Sequence, residues 1–205
     1  MEDPSSYHLG AAWGGSPKRL GGDFNHELPW TDDYAERVFN GEIKQVRNFY
    51  QLAVLKGPLE SPVAVASFQN AGHTVKVEFL DDEFRTVLTF LFVDQDLPDG
   101  MFLNPKGIQR PGDLLLRSVA DTRWTGEPGT AGLERFETDR RQHSNLGTTR
   151  MLRHWVPDIE RGPEAEWHVD PEVDVSGDGF WEPVATFGDW DRWFVKDRPG
   201  VKLFD

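Results

Sequence analysis

At 205 residues, with a net charge of -13, 28% charged and 38% apolar residues, eight Trp and fourteen Phe, the chain can bury a sizeable core but is too charged for a membrane protein. The acid excess argues against a nucleic-acid binder, whose affinity for phosphate backbones comes from Lys and Arg. The absence of cysteine excludes disulfides, thiolate zinc sites and thiol nucleophiles.

Residues 1–28 hold five glycines and two prolines and follow neither the helical nor the strand period, so they are expected to form an irregular arm, docked or flexible, with Tyr7 and Trp13 as anchors. Met1-Glu2-Asp3-Pro4 does not open a signal-peptide pattern and no apolar run approaches a bilayer span, which makes the cytoplasm the expected compartment. Residues 29–205 then form one domain. Thr31 is a suitable N-cap for a helix that carries Asp32 and Asp33 in its first turn and stops at Asn40-Gly41. A second helix is expected from Glu42 to about Leu55, burying Ile43, Val46, Tyr50 and Ala53, with a strand over 48–55 as the alternative.

Pro62 to Val93 reads as a three-strand meander. His73, Val75, Val77 and Phe79 alternate with Thr74, Lys76 and Glu78, and 70–72 and 80–83 supply turn residues. The stretch 84–93 is apolar on both faces towards its end and is expected to be the central strand, covered on both sides. Short strands follow at 101–103, 113–124, 133–138 and 148–156, then an edge strand at Trp167 and Val169 demoted by Pro171, and a helical turn at 189–194 that closes the core. The expected fold is α+β, with N-terminal helices packed on a curved, mostly antiparallel sheet or partial barrel of about 7–9 strands.

Charge is unevenly spread: residues 164–205 carry eleven acids and four bases, together with Trp167, Trp181, Trp190 and Trp193. Residues 125–163 are balanced, and all six of their bases are arginines. Arg140, Arg141, Arg150 and Arg153, with the Ser, Asn, Gly and Thr residues of 144–149, are candidates for an anion site, because guanidinium recognises carboxylate and phosphate bidentately. The competing reading pairs these arginines with the chain's own acids.

Asp174, Ser176 and Asp178, followed by Gly179 and Glu182, resemble the opening of an EF-hand calcium loop, but Ala185 stands where its bidentate Glu belongs. The competing reading is a solvated acidic turn. His168 and Asp170 have the H-x-D spacing of the iron and 2-oxoglutarate oxygenases, yet no histidine follows His168, and His143 and His154 lie upstream. His73 reads as a satisfied core histidine, while an acid–base pair drawn from His73, Asp121 or Glu137 is conceivable inside a barrel. No nucleophile or phosphate-loop motif is present, and no cofactor is expected.

Two functions are therefore expected. In the first, an acidic accessory protein engages a basic protein partner through its Trp-rich C-terminal region, as an immunity-type inhibitor would. In the alternative, a small enzyme or small-molecule binder uses an aromatic-lined pocket inside the curved sheet.

Overall fold

The computed structural model describes residues 6–10, 30–43, 52–59, 61–69, 71–94, 110–125, 135–144, 147–155, 164–170 and 176–203. One antiparallel meander runs through them: β1 (Tyr7–Gly10), β2 (Leu52–Lys56), β3 (Ala64–Gln69), β4 (Thr74–Leu80), β5 (Thr86–Asp94), β6 (Asp113–Thr125), β7 (Arg135–Ser144), β8 (Gly147–Trp155) and β9 (Glu164–Asp170), in that spatial order. A tenth strand, β10 (Trp181–Pro183), pairs with the first residues of β6 beyond the reach of β7. The sheet curls into a half-barrel and the architecture is mostly β.

Helix α1 (Asp32–Phe39) forms where its caps predict it: the Thr31 hydroxyl accepts from the Tyr34 N–H, and Gly41 takes the left-handed conformation at φ +76°. It is the one α-helix among the described residues. The second helix expected over Glu42–Leu55 is overturned at its C-terminal end, where Leu52–Lys56 is a strand between β1 and β3. Leu52, Ala53, Val54 and Leu55 are all buried, so the segment shows no period-2 alternation; a run buried on both faces can be mistaken for a helix.

The meander of β3, β4 and β5 forms as read. Val75, Val77 and Phe79 are buried, while Thr74, Lys76 and Glu78 on the other face are half-buried. β5 is central, but its second face is only partly covered, because Val87, Thr89 and Leu91 are half-buried against fully packed Phe90 and Phe92. His73 departs from its expected place: it lies at the start of the β4 edge, its side chain 44% exposed, with Nδ1 2.5 Å from Asp94 Oδ2. The turn 81–85 is held by Asp81, whose carboxylate accepts from the Glu83 and Arg85 backbone N–H groups and from the Arg85 guanidinium. Burial would raise this carboxyl, but those hydrogen bonds outweigh it and hold it below the usual range.

The core lies between one face of β1–β6, hereafter the core face, and a cover made of α1 and the C-terminal segment. From α1 come Ala35 and Phe39; from the C-terminal segment come Phe180, Trp181, Trp190, Trp193 and Phe194. Trp193 meets Phe68 and Phe92 edge-on, at centroid distances of 5.9 and 5.5 Å. The expected closing turn is a 3₁₀ turn at Asp191–Phe194. Part of the N-terminal arm is docked: Tyr7 stacks on Phe194, and its hydroxyl donates to Asp191. A smaller cluster of Ala53, Leu55, Val65 and Leu80 packs on the opposite face. No helix among the described residues is long and apolar enough to cross a membrane. The expected strand at 101–103 lies outside the described residues.

Candidate functional site

Positions two apart on a strand share a face, and directly opposed positions on neighbouring strands have Cβ atoms about 5 Å apart. The strand registers can therefore be followed as rows across the whole sheet. One core-face row runs Leu9, Val54, Ala66, Val77, Phe90, Val119, Arg141, Arg150, His168. Its first six positions are buried and apolar, and its last three are basic. The row two residues along runs Tyr7, Lys56, Ala64, Phe79, Leu88, Asp121, Asp139, Leu152, Glu166, and turns acidic one strand earlier, at Asp121 on β6.

β6 is the dividing element. Its register against β5 shifts between Leu91 and Phe92, so that Arg117 is the extra residue between Leu116 and Ser118. This keeps Leu116 and Val119 opposite Phe92 and Phe90 on the core face. Burial pushes the Arg117 guanidinium below its usual value. Beyond β6 the core face carries Glu137, Asp139, Arg141 and His143 on β7, Thr148, Arg150, Leu152 and His154 on β8, and Glu164, Glu166, His168 and Asp170 on β9. The Arg141 guanidinium donates to the Lys202 carbonyl, which ties the C-terminal segment to the boundary between apolar and ionisable regions.

The four arginines suggested as an anion site are divided by this register. Arg141 and Arg150 are directly opposed on the core face; Arg140, opposite Met151, and Arg153, opposite Thr138, occupy the other face. The stretch 144–149, whose Ser, Asn, Gly and Thr residues are expected to add donors around an anion, is strand at Ser144 and again from Gly147. His168 and Asp170 share the core face, in the Arg150 row and the Thr148 row respectively. His143 shares the row of Asp170, and His154 sits between Glu137 and Glu164. Asp121 and Glu137 lie in adjacent rows of that face, whereas His73 is at the far end of β4 and pairs with Asp94.

Asp139 and Glu166 were not among the candidate residues. The signal for Asp139 was the alternation of Glu137, Asp139, Arg141 and His143 with Phe136, Thr138, Arg140 and Gln142. Both sets are largely polar, so no hydrophobic period marks the strand.

The calcium-like turn is occupied by an internal cation. Arg110 donates to the Asp178 carboxylate at 3.0 Å and to the Ser176 carbonyl at 2.6 Å. Glu182 sits on β10 and accepts from Arg198 instead of turning towards Asp178. Asp174 lies outside the described residues, among which no group of three or more His, Asp or Glu could hold a metal ion. Trp181, Trp190 and Trp193, expected on a partner-binding surface, are buried in the core. Their large apolar area is covered by the sheet and α1, and so is not presented to a partner. Trp167 sits opposite Met151, on the face away from the ionisable rows.

No protein family, curated protein or solved structure matches the chain.

Proposed function

We propose that the protein binds a polar small molecule on the core face of β6–β9, next to the apolar half of the same face, which is packed under α1 and the C-terminal segment and holds the sheet rigid. The observation that carries this reading is the change within single register rows from buried apolar positions to ionisable ones at Arg141 and Asp121. Convergent charged positions on a face whose other half is rigidly packed are the composition expected of a ligand site. Binding to a basic protein through tryptophan anchors is the weaker reading, since three of the four are core residues. A cysteine-free chain suits a cytoplasmic ligand.

The test is a panel of organic acids, amines, amino acids, sugars and nucleotides added to the isotopically labelled chain. Amide shifts in β6–β9 with a rise in melting temperature are the expected result. If every compound leaves those amides unmoved, the reading fails.

A further inference from the structure

We propose that Trp193 and Arg198 together form a buried binding site for one water molecule, and that this water helps fasten residues 192–198 to the sheet. The inference is independent of the ligand face on β6–β9.

The indole N–H of Trp193 and the Nε–H of Arg198 are buried and have no hydrogen-bond partner among the described residues. Trp193 is fully buried, and the Arg198 side chain is 3% exposed. Both pack on one ring: the Phe92 centroid lies 5.5 Å from that of Trp193 and 4.7 Å from the Arg198 guanidinium carbon. The guanidinium also sits against the backbone beside Trp193, since another of its N–H groups donates to the Arg192 carbonyl at 3.1 Å. Two donors therefore lie in one region whose walls are the rings of Phe68, Phe90 and Phe92, which offer them no acceptor.

A buried N–H without a partner is costly, and folded proteins satisfy nearly all such groups with protein atoms or ordered water. An indole N–H and a guanidinium N–H can only donate, so the species that satisfies them must accept. Water accepts two such bonds and then needs acceptors for its own hydrogens. These are close by. The Glu182 carboxylate takes one N–H from Arg198 and, with about four lone-pair sites, keeps capacity for more. The Arg192 carbonyl takes one N–H and has a second lone pair. Two bonds accepted and one or two donated match the usual coordination of a buried water. A halide would also accept from both donors, but Glu182 already neutralises Arg198, so the ion would add an unbalanced negative charge in a chain of net charge -13. Water meets both donors without that cost.

The experiment uses the full, isotopically labelled chain, and the probe is the solvent itself. Nuclear Overhauser effects from the water resonance should reach both the Trp193 Hε1 and the Arg198 Hε protons, with the sign of a bound molecule rather than of surface solvent. The Trp193 indole proton should exchange with deuterium only as fast as the C-terminal segment opens. Trp193→Phe keeps an aromatic ring but removes one donor, and should lose the bound-sign effect at Arg198. An effect there of undiminished size would overturn the shared site. Should that variant fail to fold, the measurement on the parent decides alone. An effect at neither proton, or at only one, overturns the proposal. Shifts of both protons that saturate with sodium bromide and not with sodium sulfate overturn water in favour of a halide.

Discussion

The Arg198 guanidinium lies 4.7 Å from the centroid of the Phe92 ring and donates to the carboxylate of Glu182. This cation is buried against the core, with a side chain only 3% exposed. A second N–H group donates to the Arg192 carbonyl, and the guanidinium also faces Phe90 at 5.4 Å. The pair fastens residues 192–198 to β10 and β5, and with them the turn that carries Trp193.

Breaking this pair from one side should cost more than removing both charges. Glu182→Ala strands a buried guanidinium and is expected to destabilise by about 3–5 kcal/mol, whereas Arg198→Met with Glu182→Leu should lose clearly less. Urea unfolding of the parent and the two variants checks this. Equal losses would mean that the pair is solvated in solution.

Stability should fall at alkaline pH through Tyr7. Burial, then the hydrogen bond to Asp191 and its negative charge, push the phenol well above its ordinary value near 10. The folded state therefore keeps this proton at pH values where the unfolded chain releases it. The contribution is fully present below about pH 10 and is lost as pH rises beyond it. Tyr7→Phe should flatten the melting temperature between pH 10 and 11 relative to the parent, and an unchanged slope would count against the contact.

Asp81 has the opposite sign. Its carboxyl is held below the usual range, so the folded state binds fewer protons than the unfolded chain around pH 4. The stabilisation is present above the unfolded value and disappears as pH falls through the folded one. Asp81→Asn should lower stability at pH 7 and reduce the acid-side loss, as read by melting curves from pH 7 to 3.

Gly179 separates packing from metal binding. A Cβ there would meet the Pro199 carbonyl oxygen at 2.0 Å, whereas one at Gly177 would meet nothing within 4 Å. Gly179→Ala is expected to cost about 1–3 kcal/mol by overpacking and Gly177→Ala much less. Excess calcium should change the melting temperature of neither variant nor of the parent, since Arg110 already engages Asp178 and the Ser176 carbonyl. A calcium-dependent rise in the parent would restore the metal reading.

Trp193→Ala should be the most damaging of the C-terminal tryptophan changes for which burial is described, because Trp193 is fully buried between Phe68 and Phe92. A loss of about 3–5 kcal/mol is the expected scale for truncating a core aromatic. A folded variant of near-parental stability would return the residue to the surface role its sequence context suggested.

The parts of this protein legible in sequence were those whose signal is local. Thr31, Asp32, Asp33 and Gly41 mark the ends of α1, because caps act within a single turn. Val75, Val77 and Phe79 mark β4, because a half-buried strand shows its burial as alternation. β2 was left open between helix and strand by burial on both faces, and β7 was read only as far as Thr138 because its continuation is polar on both faces, since each condition erases the period that reveals a strand. What pairs with what was decided only in three dimensions. Arg110 taking Asp178, Arg198 taking Glu182, and Trp193 packing on Phe68 depend on contacts from 16 to more than a hundred residues distant in sequence. The register that opposes Arg141 to Arg150 and sends Arg140 and Arg153 to the other face is of the same kind. Strand period is two, so a shift of one residue in pairing would have exchanged the faces, and only the assembled sheet selects between them.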